Sequence, residues 1–316
     1  MFYSLTLKKE WAKVRKFIRI NGDKGSRQAN HHQMILFKEA ATLKKYIGKN
    51  KESGKKIGFV PTMGALHQGH LSLVESSKGK SDITICSIFV NPTQFNDPKD
   101  FEKYPVTIGN DILLLESNGC DVLFFPAVHE IYPAGTSSPI HYNLGSIENL
   151  LEGKYRPGHF QGVCQVVHKL LDIVTPDFLF MGQKDYQQVI VVKRLVELIQ
   201  RPVQVITAST FRETTGLAMS SRNLRLSEEQ KQLAAGIYKM LDYIKNNYTA
   251  FPVPDLEKHA ANYLITHGFA KVDYVAIANA ETLQPVTDSR NNEAAVALIA
   301  AFVGDIRLID NMIIAG

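Results

Sequence analysis

At 316 residues, 45% of them hydrophobic and 21% charged, the chain can bury a core without cross-links, and its composition is that of an ordinary globular protein. Three widely spaced cysteines, Cys86, Cys120 and Cys164, without a CxxC pair, exclude a disulfide scaffold and a cysteine zinc site and fit a reducing compartment such as the cytoplasm. The net charge of +5 is local: residues 1–33 hold eight Lys/Arg against two acidic side chains (+6), and the other 283 hold 28 against 29 (−1), so the folded body is not expected to bind nucleic acid.

Residues 1–33 read as a basic N-terminal arm, a weakly amphipathic start followed by a polar linker from Asn21 to Gln33. No signal-peptide pattern is read there, a transit peptide is the alternative to a plain arm, and no run of about 18 apolar residues predicts a membrane span. From Met34 onward the pattern changes. Lys56–Thr62, Asp82–Val90, Asp121–Phe125, Phe178–Met181 and Val203–Thr207 are short apolar, largely β-branched runs and are expected as strands. Between them lie helical periods. In Val163–Val174 the apolar residues recur at i, i+3, i+4, i+7, i+8 and i+11, which makes one stripe on a helix. Strands alternating with helices predict an α/β, Rossmann-like parallel sheet with helices on both faces over residues 34–208, with ligands at the carboxyl ends of its strands.

After Ser209 the alternation stops. Ser227 and Gln230 form a capping-box pattern opening a helix with Leu233, Ile237, Leu241, Ile244 and Tyr248 on one face. A second helix to about His267, then strands at Val272–Ile277 and Ala294–Phe302, predict a smaller α+β C-terminal domain over residues 209–316.

Three constellations carry chemistry. Pro61-Thr62-Met63-Gly64-Ala65-Leu66-His67-Gln68-Gly69-His70 follows a strand and opens a helix, the context of a phosphate site. His67 and His70 share a face and could donate to phosphate oxygens that gain charge in a transition state; a metal site, for which no third ligand stands nearby, or a plain polar helix start are the other readings. Gly182-Gln183-Lys184-Asp185 leaves the Phe178–Met181 strand and leads to Gln188 one turn into a helix, with Lys184 suited to phosphate and Asp185 to ribose hydroxyls; a capped helix with solvated side chains is the alternative. Met219-Ser220-Ser221-Arg222-Asn223 has the parts of a mobile phosphate clamp, or of an exposed linker.

Together, the His-x-Gly-His helix start and the Ser-Ser-Arg loop resemble the nucleotidylyltransferase and class I aminoacyl-tRNA synthetase superfamily, in which the two motifs grip ATP from opposite sides. The resemblance narrows with PTMGALHQGH, SIFVNPTQF (Ser87–Phe95), EGKYRPGHFQGV (Glu152–Val163), MGQKDYQQ (Met181–Gln188), GLAMSSRN (Gly216–Asn223) and RLIDN (Arg307–Asn311). In this order, from Met34 to Gly316, they resemble the pantoate–β-alanine ligase family, known also as the pantothenate synthetases.

That resemblance implies condensation of pantoate with β-alanine through a pantoyl adenylate, with ATP and Mg2+ as substrate, release of AMP and pyrophosphate, no tightly bound cofactor, and a cytoplasmic homodimer. It implies catalytic roles for His67, His70, Lys184 and Arg222, with His70 as proton donor. ATP contacts fall on Met63, Gly64, Ala65, Leu66, His67, Gln68, Gly69 and His70, on Gly182, Gln183, Lys184 and Asp185, on Phe211 through its backbone, and on Met219, Ser220, Ser221 and Arg222. Asn91, Gln94 and Gln188 match the pantoate and β-alanine contacts. The chain departs from the usual family pattern at Val106, Ser209, Thr215 and Asn279, and the arm has no family counterpart. The alternatives are an adenylyl- or cytidylyltransferase of the same superfamily and a non-catalytic nucleotide- or RNA-binding relative; the neutral amides of Gln94 and Gln188 suit a hydroxy acid better than a second phosphate.

Overall fold

The structure, a computed structural model, describes residues 33–95, 101–136, 140–289 and 293–315, so the expected arm over residues 1–33 lies, but for Gln33, outside the described residues. In chain order the elements are β1 (Ile35–Phe37), α1 (Ala40–Glu52), β2 (Ile57–Thr62), α2 (Gln68–Lys78), β3 (Ile83–Ile88), α3 (Ile108–Ser117), β4 (Val122–Phe124), α4 (Val128–Ile131), α5 (Leu151–Tyr155), α6 (His159–Val174), β5 (Phe178–Gly182), α7 (Tyr186–Leu198), β6 (Gln204–Ala208), α8 (Glu228–Ala234), α9 (Gly236–Asn247), α10 (Val253–Thr266), β7 (Lys271–Asn279), β8 (Ala295–Val303) and β9 (Ile306–Ala315). Short 3-10 turns add Pro92–Gln94, Gly145–Asn149, Gln183–Asp185 and Ser221–Arg225. No helix of the described residues is long and apolar enough to cross a membrane.

The chain divides into two compact units. One gathers residues up to His141 with Gln161–Met181 and Val196–Ala208; the other gathers Tyr142–Phe160, Gly182–Leu195 and Ser209–Gly316. This differs from a single cut after residue 208. The segments 142–160 and 182–195 belong with the C-terminal unit because their apolar side chains pack there: the partly buried Ile147, Leu150, Leu151, Tyr186 and Ile190 lie against Ala278, Leu283, Val296 and Leu298.

The first unit is built on a six-stranded sheet in the order β1-β4-β3-β2-β5-β6, with parallel ladders from β1 through β4, β3 and β2 to β5. Every residue of β3 and β4 is buried, as are five of the six in β2, so both faces of the central strands are covered. One face packs Val60, Cys86, Ile88, Leu123 and Phe180 against Leu73 and Val74 of α2 and Ile108 and Leu115 of α3. The chain runs from β2 through β3 to β4 in one direction, then returns to β5 and β6 beyond β2. The strand order therefore reverses between β2 and β5, the place where ligands bind in such sheets. The three-residue β1 is not signalled by the sequence, being too short to show a period.

The second unit pairs the antiparallel sheet β7-β8-β9 with α8, α9 and α10. The Ser227–Gln230 capping box is present, but the helix it opens ends at Ala234 and a new one starts at Gly236. A Cβ on Gly236 would stand 3.3 Å from Phe269, so the small residue permits that packing. β9 is a further strand that the sequence does not announce, because Arg307, Asp310 and Asn311 interrupt its apolar pattern. Asn279 ends β7 by accepting from the amides of Glu281 and Thr282 at 2.9 and 3.0 Å, an Asx turn.

Candidate active site

In the first unit, the loop from Met63 to His70 leaves the carboxyl end of β2 with Gly64 at φ +82° and Ala65 at φ +49°. Two consecutive left-handed residues turn the amides of Ala65 and Leu66 in one direction, a nest suited to an anion. The anion present is internal. Asp111 of α3 is 1% exposed and accepts from Ala65 N at 3.0 Å and Leu66 N at 2.9 Å, with Thr107 Oγ1 adding a third bond at 2.9 Å. Burial pushes the Asp111 carboxyl up from its ordinary value, while these three bonds work against that rise. Thr62 Oγ1 accepts from Gly64 N at 3.2 Å and donates to the Ser87 carbonyl at 2.8 Å, tying the loop to β3. Of the residues expected to contact ATP, Ala65 and Leu66 have backbone amides that donate to Asp111. Sequence patterning does not single out Asp111, a carboxylate four residues after Thr107 whose partners lie some 45 positions away.

His67 and His70 close a reciprocal cap on α2. Gly69 N donates to His67 Nδ1 at 3.2 Å, and His67 N donates to His70 Nδ1 at 3.3 Å. The ring centroids are 4.0 Å apart. An Nδ1 that accepts an amide proton carries none of its own, so each neutral imidazole is the Nε2–H tautomer. The i, i+3 spacing thus yields a paired donor set at a helix N-terminus. Among the described residues no group of three or more His, Cys, Asp or Glu is placed to hold a metal ion.

The turn after β3 stands beside this loop. Gln94 Nε2 contacts Met63 Sδ at 3.1 Å, and Asn91 Nδ2 donates to Gln94 Oε1 at 3.2 Å. Asn91 is 1% exposed; it also donates to the Gly162 carbonyl and accepts from Tyr132 Oη at 2.8 Å. Asn91 therefore orients Gln94 from beneath, whereas Gln94 is half-buried at the loop.

In the second unit, Gln183, Lys184 and Asp185 form one 3-10 turn after Gly182. The Lys184 ammonium lies 3.7 Å from Asp185, and its side chain is partly covered while Asp185 is exposed. Gln187 is taken up by structure, bonding to Glu152 N and to the carbonyls of Ile147 and Leu150; its neighbour Gln188 is half-buried. The segment expected as a mobile clamp carries hydrogen bonds of its own. Met219 N donates to the Phe211 carbonyl, Arg212 bridges Ala218, and Ser220 caps the Ser221–Arg225 turn by accepting from Arg222 N. Ser221 is buried and Phe211 is exposed. Asn223 Nδ2 holds the turn through Glu213 Oε1 and the Ala218 carbonyl, both at 3.1 Å. At the departure Thr215, the hydroxyl is buried without a hydrogen-bond partner.

The family model for pantoate-beta-alanine ligase matches residues 35–313. The chain belongs to the pantoate–β-alanine ligase family. Among curated relatives it is 42% identical over 283 residues to the pantothenate synthetase of Cytophaga hutchinsonii and 43% identical over 283 residues to that of Leptospira biflexa, covering 89% of this chain and 99% of each relative. Among solved structures, the pantothenate synthetase of Thermus thermophilus superposes with a TM-score of 0.83 at 37% identity, over 90% of this chain and all of that one. The pantoate-beta-alanine ligase of Francisella tularensis, described as complexed with beta-gamma ATP and beta-alanine, gives 0.76 at 38% identity over 89% and 98%. The matched region contains all six sequence motifs.

Proposed function

We propose that this pantoate–β-alanine ligase family member joins pantoate to β-alanine in two steps through a pantoyl adenylate. A carboxylate oxygen of pantoate attacks the α-phosphorus of ATP, the bond to the β-phosphate bridging oxygen breaks, and pyrophosphate leaves. The amine of β-alanine then attacks the acyl carbon, AMP departs, and the amine nitrogen loses a proton.

The pantoate carboxylate is ionised at pH 7, so the first step needs positioning and charge neutralisation rather than a general base. The observation that carries this reading is the reciprocal His67–His70 cap, which makes the two rings Nε2–H donors side by side at a helix N-terminus. They are suited to oxygens of the α-phosphate as charge builds there, and His70 is the one assigned as proton donor. Lys184, Ser220, Ser221 and Arg222 supply charge and hydroxyls for the phosphate chain, and Gly182–Asp185 with Phe211 and Met219 serve the nucleotide. Gln94 and Gln188 hold pantoate, with Gln94 also beside β-alanine and Asn91 supporting it. Mg2+ arrives with the triphosphate, whose oxygens are its natural ligands.

A covalent acyl-enzyme does not fit. Burial pushes the Cys86 thiol well up and the Cys120 thiol up to about 12, so neither is a ready thiolate, and Cys164 is buried. We assign the protein to the cytoplasm as a homodimer, whose assembly light scattering of the purified chain tests. The reaction is tested by isotope exchange. Labelled pyrophosphate should enter ATP with pantoate present and β-alanine absent. Exchange that requires β-alanine, or that runs equally well without pantoate, overturns the adenylate route and favours another nucleotidyl transfer.

A further inference from the structure

We propose that Asp310 and Asn311, adjacent residues of β9, are positioning residues that lock the Lys184 turn and the Phe211–Arg225 segment into one ATP-phosphate cradle. The proposal rests on the reading of Lys184 and Ser220–Arg222 as phosphate contacts. Both residues belong to RLIDN, a motif to which neither the spacing nor the resemblance gave a role. They are 4% and 2% exposed.

Successive side chains of a strand point to opposite sides, so two neighbours can reach two different segments. Asp310 takes the first. Its carboxylate accepts from Arg212 Nη1 at 2.5 Å and Nη2 at 3.1 Å, a fork-on-fork pair. The same guanidinium donates to the Gly216 carbonyl at 3.1 Å and the Asn311 carbonyl at 3.3 Å, and lies 4.6 Å from the centroid of the Tyr238 ring. Gly216, at φ +87°, is required here: a Cβ would stand 2.1 Å from Tyr238 Cδ1. Arg212 also bridges Ala218, whose carbonyl receives Asn223, so the pull of Asp310 is carried into the turn bearing Ser221 and Arg222.

Asn311 takes the second segment. Its Nδ2 donates to the Gln183 carbonyl at 2.9 Å and the Lys184 carbonyl at 2.8 Å, and its Oδ1 accepts from Gln183 Nε2 at 3.3 Å. Both amide protons and the amide oxygen are directed at one turn. Only an amide can do this, since a carboxylate would face two carbonyl oxygens with no proton to offer. Asp310 Oδ1 also accepts from Asn311 N at 2.8 Å, which couples the two halves. The brace therefore sets where the Lys184 charge stands relative to the Ser-Ser-Arg turn.

The test uses the full-length protein in pantoate-dependent pyrophosphate exchange, with KM and kcat for ATP measured beside melting temperature. Asn311→Ala and Arg212→Lys are each expected to raise KM for ATP about tenfold, from lost directed hydrogen bonds, while KM for β-alanine in the full reaction stays within about twofold. The double variant is expected to fall short of the product of the two single effects, because cutting either arm already frees the cradle. If Asn311→Ala fails to fold, Arg212→Lys carries the KM test alone. An unchanged KM for ATP, with loss confined to melting temperature or active fraction, overturns the brace; so do two fully multiplicative effects. Lys184→Ala in the same assay separates the layers. If it has no effect, the phosphate-site reading fails; if it is impaired while the brace variants keep wild-type KM, the brace alone fails.

Discussion

The carboxylate of Asp111 and the amide of Leu66 are joined at 2.9 Å inside the protein, where a phosphate-binding loop would ordinarily present that amide to its ligand. The second oxygen of the same carboxylate holds Ala65 N. The loop is thus kept in its left-handed shape by an internal anion, and the proposed contact with substrate passes to the imidazoles of His67 and His70.

Asp111→Asn places an NH2 against one of these amides and removes one acceptor. A buried donor left without a partner costs about 1–3 kcal/mol. We expect kcat/KM for ATP to fall roughly tenfold to a hundredfold, with KM for β-alanine little changed. Steady-state kinetics on the folded variant check this, and wild-type kcat/KM for ATP would sink the role given to Asp111.

Gly162→Ala tests the support under Gln94. A Cβ at Gly162 would stand 2.3 Å from the Thr93 carbonyl oxygen and 3.0 Å from Gln94 Cα, both backbone atoms that no side-chain rotation can clear. Either α6 or the turn bearing Gln94 must move. The expected outcome is a rise of about tenfold in KM for pantoate and an overpacking cost of about 1–3 kcal/mol in stability. Pantoate dependence of the exchange rate is the measurement, and an unaltered KM for pantoate counts against Gln94 as a pantoate contact.

Lys184→Ala removes a charge from a turn whose backbone carbonyls are held by Asn311, so circular dichroism and melting temperature should stay near wild type. Exchange should slow by about 10²–10³, the usual effect of deleting one preorganised donor to developing charge. Near wild-type turnover refutes the assignment.

Glu152 gives a pH-dependent stability prediction. Its carboxylate pairs with Arg307 through bonds of 2.7 and 2.8 Å and accepts from Tyr274 Oη at 2.8 Å. Burial alone would push this carboxyl up, but Arg307, Tyr274 and Arg156 together hold it below its ordinary value. A lowered folded-state pKa stabilises the fold above the unfolded-state carboxylate value, and that contribution is lost as pH falls through the folded value. Glu152→Gln should therefore be destabilised by about 3 kcal/mol near neutral pH, from a broken buried pair. The gap to wild type should shrink below about pH 4. Melting curves from pH 7 to pH 3 test this; a gap independent of pH contradicts it.

Much of the sheet was legible from local pattern. The β-branched runs of β2 and β3 and the apolar stripe of α6 are consequences of burying one face or both, and burial leaves a period in the sequence. The two His of the cap were legible as a pair, because three residues make nearly one helical turn. Their tautomer was not, since it depends on which backbone amide each Nδ1 meets.

The sequence by itself determined the family, the parallel α/β core and a smaller α+β C-terminal part, because these follow from local periodicity and from motifs that survive without their neighbours. Only the tertiary structure decided that Asp111 occupies the nest of the first loop, that Asp310 and Asn311 serve two segments from one strand, and that residues 142–160 and 182–195 belong with the C-terminal unit. The first two outcomes depend on buried polar groups finding partners 45 to 128 positions away, and the third on apolar side chains packing against Ala278, Leu283, Val296 and Leu298. A charged or amide residue in a strand reads as an interruption until its partner is seen, since its desolvation is offset by groups that no local pattern can reveal.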